Sequence, residues 1–300
     1  MYRKTSRTRL GLVSLSGEKR GCVCINGLFF DPGEAKVSAT DAGFLLGDGV
    51  FESLRASDGV PYLLDRHLER LYGGAAELEF ERMPLAETII ELVYRTLQRS
   101  DLSDTYVRIT VTRGSGCVGL APPPEPPTIA ISVLPAPPAA EASGLHATLL
   151  HGCPAPCRTV KSTSWQHAVM ARRRVQRSGA DEGIYASPDG RVLEGVTSNV
   201  FVVREHAVMT PRAAECLPGI TRSRLLELSR EVGIEVHEQA VSLEELDQAD
   251  EVFVTNAVQG LRRVSSIEGE VVACGSGESL FARMCELYRE DRGVMAGAVR

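Results

Sequence analysis

Apolar residues in this chain recur at two periods, and the switches between them mark out its elements. Cys22 to Ile25 and Leu28 to Phe30 are short apolar runs on either side of Asn26-Gly27, which predicts a β-hairpin. A strand is predicted through Val50 to Ala56, with a return through Pro61 to Leu64. The period then lengthens to that of a helix from about Leu64 to Leu78 and again from about Leu85 to Gln98, before strands resume at Tyr106 to Thr112 and Thr128 to Leu134. Ala121 to Pro127, with five prolines, reads as a stiff surface loop. Together these predict a smaller α/β domain over 21–134, followed by a proline-rich linker over 135–144.

A larger, β-rich domain is predicted over 145–292. It opens with a strand from Leu145 to His151 and a helix with Trp165, Ala168, Val169, Ala171 and Val175 at helical spacing, at whose entrance Lys161 is expected. Strands follow at Ile184 to Ala186, Arg191 to Leu193, Asn199 to Val203 and Ala207 to Met209. Leu225, Leu226, Leu228 and Val232 mark a second helix. Strands at Glu235 to Ala240 and Glu251 to Thr255 and a terminal helix from Glu278 to Glu290 complete the expectation, a two-domain α+β fold. Residues 1–20 carry six basic side chains against Glu18 and read as a disordered arm outside the fold.

Composition narrows the function. With 43% hydrophobic and 24% charged residues the chain is ordinary for a globular protein, and a net charge of −6 argues against a phosphate-backbone partner. No apolar run is long enough to span a bilayer, so no membrane partner is expected. Eight cysteines scattered without a secretory leader read as reduced thiols in a cytoplasmic protein. Cys153 and Cys157, split by Pro-Ala-Pro, match no zinc spacing, and no metal site is expected.

Three stretches bring candidate chemistry in a set order: Val160 to Trp165 with Lys161, Leu193 to Phe201 with Glu194, and Leu217 to Arg222 at a helix opening. A lysine facing a core is costly unless it is deprotonated or bonded. The first turn after Pro218-Gly219 offers free backbone N–H groups to an anion. Amine, carboxylate and anion site are what a pyridoxal 5'-phosphate cofactor requires.

At this point the chain resembles the class IV aminotransferases, the pyridoxal-phosphate enzymes of fold type IV that include branched-chain and D-amino-acid aminotransferases and aminodeoxychorismate lyase. The resemblance rests on Asn26-Gly27, Asp41 to Glu52 (DAGFLLGDGVFE), His67 to Leu71 (HLERL), Thr112-Arg113-Gly114, Lys161, Glu194 to Phe201, Leu217 to Arg222, and Ala249 to Phe253 (ADEVF). It implies that Lys161 carries the cofactor and moves the substrate proton, and that Glu194 pairs with the pyridine nitrogen. It further implies that Arg70, Gly219, Ile220 and Thr221 hold the phosphate, with Leu217 and Ala257 against the cofactor. Phe44, Leu46, Arg113, Trp165 and Asn256 are the expected substrate contacts, and a homodimer with its site at the subunit boundary is expected.

The reaction expected is transfer of an amino group between an amino acid and a 2-oxo acid. The spacing from Lys161 to Ala171 resembles that of D-amino-acid aminotransferases and favours a D-amino donor. Phe44, Val118 and Leu120 stand where those enzymes carry a tyrosine, an arginine and a histidine, so their usual carboxylate trap is missing. Arg113, Arg262 and Arg263 are alternative cations. Thr255-Asn256-Ala257 resembles aminodeoxychorismate lyases, which keeps pyruvate release open beside a branched-chain L-amino-acid activity. Lys161, Glu194, Arg70 and Thr221 occurring together argue against a non-catalytic binding module.

Overall fold

Asn26 and Gly27 adopt left-handed dihedrals, φ 48° and 84°, so β1 (Cys22–Ile25) turns directly onto β2 (Leu28–Phe30). The computed structural model describes residues 20–138, 144–152, 160–272 and 279–298. After β2, Asp41 caps a short helix, α1 (Ala42–Leu46), accepting from Gly43 N–H at 2.8 Å. The same buried carboxylate accepts from the Thr112 and Thr128 hydroxyls at 2.9 and 2.8 Å, which fastens α1 to the ends of two interior strands of the sheet.

β3 (Gly49–Ser57), β4 (Val60–Pro61), β5 (Asp104–Thr112) and β6 (Thr128–Pro135) complete an antiparallel sheet in the order β2-β1-β6-β5-β3-β4. Two amphipathic helices, α2 (Leu64–Glu77) and α3 (Ala86–Gln98), bury Leu68, Leu71, Ile89 and Val93 against Leu54, Ile109 and Ile131 of that sheet.

The second sheet has ten strands. β7 (Leu145–Leu150), β8 (Glu182–Ala186) and β9 (Arg191–Gly195) lie on one side of it, with α4 (Gln166–Ser178) crossing between β7 and β8. β10 (Asn199–Arg204) and β11 (Ala207–Thr210) precede α5 (Ile220–Glu231) and β12 (Val236–Glu238). β13 (Val241–Ser242) and α6 (Leu243–Asp247) lead into β14 (Glu251–Asn256), β15 (Gly260–Ile267), β16 (Glu270–Val271) and α7 (Leu280–Ala298). The order is β12-β11-β10-β14-β15-β7-β8-β9-β13, with β16 on β15. Phe201 and Phe253 stand opposite each other on β10 and β14 and stack at 4.9 Å, walled by Leu225 and Met284.

α7 ties the two sheets' helices together. Asp291 accepts from the Tyr62 hydroxyl and, at 2.6 Å, from Arg224 of α5, while Glu227 of α5 accepts from Arg66 of α2 at 2.7 Å.

Three expectations change. The strand expected at Glu235 to Ala240 shortens to β12, β15 was not anticipated at all, and the helix expected from Lys161 begins only at Gln166. Of the expected linker, Pro135 belongs to β6, and 139–143 lie outside the described residues, as do Cys153 and Cys157. Among the described residues Cys22, Cys24, Cys117 and Cys285 are unpaired, and no helix is long and apolar enough to cross a membrane.

The Phe201 and Phe253 pair should dominate the second core. Phe253→Ala is expected to cost about 3–5 kcal/mol, read as a lowered urea midpoint at unchanged slope.

Candidate active site

Lys161 lies in an extended segment laid along β3. Phe51 N–H donates to its carbonyl at 2.9 Å, Thr163 N–H donates to Gly49 O at 2.8 Å, and Ser162 bridges Val50. The Thr163 and Ser164 hydroxyls both donate to Gly47 O, at 2.6 and 3.0 Å, and so are spent on this backbone instead of capping a helix. That is why α4 starts late, with Trp165 at its N-cap and no side-chain capping bond. The ammonium nitrogen sits 4.7 Å from the Phe51 ring centre and 5.6 Å from that of Trp165, two rings packed edge to face. Burial first, and then the charge of Arg70, push Lys161 down from 10.5 to about 8.

Lys161 opens on a cavity of about 440 Å³ between the two sheets. Glu194 on β9 lines it and accepts from Leu217 N–H at 2.9 Å. Across from it, α5 begins at Gly219 with no side-chain capping bond, leaving the first-turn N–H groups at Ile220 and Thr221 open at the wall. Gly219 is required there, because a Cβ would stand 1.9 Å from Asn199 Oδ1 while Asn199 Nδ2 donates to Leu217 O at 2.8 Å.

Arg70 reaches the same wall from α2. Its guanidinium donates twice to Glu52, at 2.7 and 2.8 Å, and once to Pro218 O at 2.8 Å. A guanidinium has five N–H donors, so two remain for an anion at the opening of α5. Glu52 is fully buried on β3 and accepts from His67 Nδ1 at 2.7 Å. Burial works to raise its carboxyl, but Arg70 and His67 outweigh it and hold Glu52 at about 2. Burial depresses His67, which favours the neutral ring; its Nδ1 meets Glu52, and its buried Nε2 has no partner among the described residues.

The cavity brings together Arg70, Lys161, Glu194, Leu217, Gly219, Ile220, Thr221 and Ala257 with Trp165 and Asn256. Phe44, Leu46 and Arg113 do not line it. Phe44 and Leu46 are exposed on α1, while Arg113 donates to Asp48 and to the carbonyls of Leu78 and Glu79 and stacks on Phe80. Ser53 and Tyr106, joined at 3.1 Å, and Thr255 also line the cavity and were missed by pattern reading. So was the part played by Glu52. His67 and Arg70, three apart on one helical face, were the signal that an acid must meet them.

The profile of the family described as amino-transferase class IV matches residues 49–267. The chain belongs to that family. A protein of Methanocaldococcus jannaschii, named provisionally as a branched-chain-amino-acid aminotransferase, is 37% identical over 276 residues, 90% of this chain and 96% of that one. The D-alanine aminotransferase of Bacillus licheniformis is 33% identical across 85% of this chain and 91% of its own. The aminodeoxychorismate lyase of Bacillus subtilis is 30% identical across 90% and 94%. The branched-chain aminotransferase of Thermoproteus uzoniensis, solved with norvaline, superposes with a TM-score of 0.84 at 26% identity over 91% of this chain and 95% of that one. The fold is therefore the two-domain α+β fold of these enzymes, and the three relatives' names span three activities.

Class IV aminotransferases use pyridoxal phosphate, and a hypothetical aminotransferase from Mycobacterium tuberculosis is solved with it bound, with a TM-score of 0.78 at 25% identity over 90% and 98% of the two chains. The residues here fit that group. One cavity offers an amine depressed to about 8, a carboxylate, an uncapped helix start with spare guanidinium donors, and a buried Thr255 hydroxyl with no partner among the described residues.

Acid should expose the Glu52 cluster. A carboxyl held at about 2 against an ordinary 4.5 contributes stability that is complete above 4.5 and is lost as pH falls towards 2. Glu52→Gln leaves Arg70 without its counter-charge, so it is expected to cost about 3–5 kcal/mol at pH 7 and to flatten the loss between those limits, measured by denaturant unfolding across that range.

Proposed function

We propose that the protein is an aminotransferase that moves the amino group of a branched-chain L-amino acid onto a 2-oxo acid, with Lys161 as the catalytic residue. The observation that carries this reading is the charge of the cavity. Arg70 is the one guanidinium lining it among the described residues, and Glu52 and Pro218 hold it. A donor with an acidic side chain would bury that charge unpaired, whereas an apolar side chain meets Val160, Tyr106 and Trp165. The resemblance to D-amino-acid enzymes after Lys161 loses its weight, because Ala171 is buried among Leu150, Val175, Tyr185 and Leu193. That spacing follows from how α4 packs.

Bound pyridoxal phosphate supplies an aldehyde that captures amines and a ring that takes up the electron pair of the substrate Cα–H bond. Lys161, with its amine near 8, is divided between neutral and protonated forms close to neutral pH, which suits it to take the Cα proton and return it. Glu194, oriented by its bond from Leu217 N–H, would keep a proton on the ring nitrogen. Arg70 and the α5 opening would hold the phosphate, and Trp165 with Phe51 shields the lysine.

A second copy of the chain supports the site in this reading. Phe44, Leu45 and Leu46 are exposed beside Val118 and Leu120, which reach them because Ala42 N–H donates to Gly114 O and Cys117 N–H to Thr40 O. An apolar patch of that kind fits an interface between copies.

Mixed with holoenzyme without acceptor, L-leucine is expected to convert the visible band of the lysine-bound cofactor to the amine form, and D-alanine and aminodeoxychorismate to leave it unchanged. Conversion by D-alanine alone would return the donor to the D series, and catalytic pyruvate from aminodeoxychorismate would make the protein a lyase. Lys161→Ala is expected to lack the band altogether; a variant with full band and turnover removes Lys161 from the chemistry.

Sedimentation tests the patch. Phe44→Asp should convert dimers to monomers with at least a ten-fold loss of turnover, and a variant that stays dimeric and active places the interface elsewhere.

A further inference from the structure

The family match ends at residue 267, and α7 lies beyond it. That helix nevertheless reaches both domains. Its start is fixed by Glu251 of β14, whose carboxylate accepts from Leu280 N–H and Phe281 N–H at 3.2 and 2.9 Å and from the Ser279 hydroxyl at 3.0 Å. Farther along, Asp291 accepts from Tyr62 and Arg224, and Arg292 donates to Ser57 Oγ of β3 at 3.3 Å. Between these anchors stands Tyr288, buried, its ring edge to face with that of Tyr62 at 5.6 Å.

Tyr288 fills the space between two parts of the cavity wall. On one side is Gly260, at φ 72°, where a Cβ would stand 3.2 Å from Tyr288 Cε1. Gly260 closes the turn that presents Asn256 and Ala257 to the cavity, a turn in which Val258 N–H and Gln259 N–H both donate to Asn256 Oδ1, at 3.0 and 2.7 Å. On the other side, α5 sends Ile220 and Leu225 into the cluster that contains Tyr288. Burial raises the Tyr288 phenol, and the Thr221 hydroxyl beside it works against that rise. The turn is also held from the first domain, since Arg55 donates to Val258 O at 3.0 Å while its Nε is fixed by Asp104 at 2.6 Å.

We propose that α7 is a clamp on the anion site, with Tyr288 as the positioning residue that sets the gap between the α5 opening and the β14–β15 turn. Hydrogen-bond donors serve an anion only over a range of about 0.5 Å, so walls carried by two separate elements grip a phosphate only at a fixed spacing. The ring of Tyr288 supplies that spacing from behind the wall and does not touch the cofactor. The clamp rests on the pyridoxal phosphate of class IV enzymes and not on the donor proposed above.

Full-length apoenzyme is titrated with pyridoxal phosphate, followed by the visible band of the lysine-bound cofactor. Tyr288→Leu, which removes the ring, is expected to raise the half-saturating concentration at least ten-fold, and Tyr288→Phe to recover most of that loss. At saturating cofactor the Tyr288→Leu band should be full, because Lys161 is untouched, while the phosphorus NMR signal of the bound cofactor should move towards that of the free one. Met284→Ala, one turn earlier on α7 and buried against the Phe201 and Phe253 core, should lower the urea midpoint and leave the titration unchanged. Gly260→Ala, whose added Cβ presses on the ring, should weaken binding in the same direction as Tyr288→Leu and carries the test if that variant does not fold. Unshifted titrations in the Tyr288 and Gly260 variants, or equal shifts from Tyr288→Leu and Met284→Ala, overturn the clamp. A wild-type chain that forms no band at all overturns the cofactor assignment along with it, so the two failures are told apart.

Discussion

A single buried carboxylate holds the site together. Glu52 stands on β3, the strand next to the edge of the first sheet, with no solvent, and its charge is maintained by Arg70 and His67 from the helix packed over that strand. An ion buried in this way is tolerated only when its oxygens are fully met, so strand and helix cannot slide relative to one another without leaving a charge unpaired. Arg70 also donates to Pro218 O just ahead of α5. The position of the anion-binding helix start, which belongs to the second sheet, is thereby referred back to a strand of the first. On its opposite margin the same strand carries the extended segment of Lys161. Lysine and anion site are thus indexed to one strand from two directions, which is the kind of preorganisation that a proton transfer over a fixed distance needs.

The electrostatics follow from this frame. Lys161 is depressed because it is desolvated and faces Arg70, and Arg70 faces it because Glu52 holds the guanidinium in place. The carboxylate that steadies the anion site thus also helps to set the lysine's proton affinity. Arg108 adds to the same surroundings, lying 3.7 Å from the centre of the Phe51 ring that Lys161 also faces.

Much of this was legible in the sequence, for physical reasons. The hairpin at Asn26-Gly27, the helices over Leu64–Glu77 and Ala86–Gln98 and most strands have one buried face, and burial writes a period into the chain. Lys161, Glu194, Arg70 and Thr221 could be named because each lies in a dense motif, and the fold brings all four to one cavity. The strand β15 was not legible: Arg262 and Arg263 interrupt its apolar residues, although Val264 and Leu261 still pack into cores on its two faces. The late start of α4 was hidden because Thr163 and Ser164 bond to Gly47 across a gap of more than a hundred residues, which no local pattern records. The part of Glu52 was not legible, because an acid inside an apolar strand has meaning only once its partners on α2 are in place.

The place of β15 also bears on how the chain assembles. The first sheet uses strands between Cys22 and Pro135 and can close before the rest of the chain exists. β7, by contrast, pairs in parallel with β8 on one side and with β15 on the other, and Leu145 meets Val264 only after nearly the whole second half has been made. Loop closure over that span is slow, and until it happens the β7 edge is open to strands of other chains. During synthesis, β7 therefore spends the longest time as an unpaired edge, and the arginines that make β15 poor at self-association are carried by the strand that must travel furthest to close it.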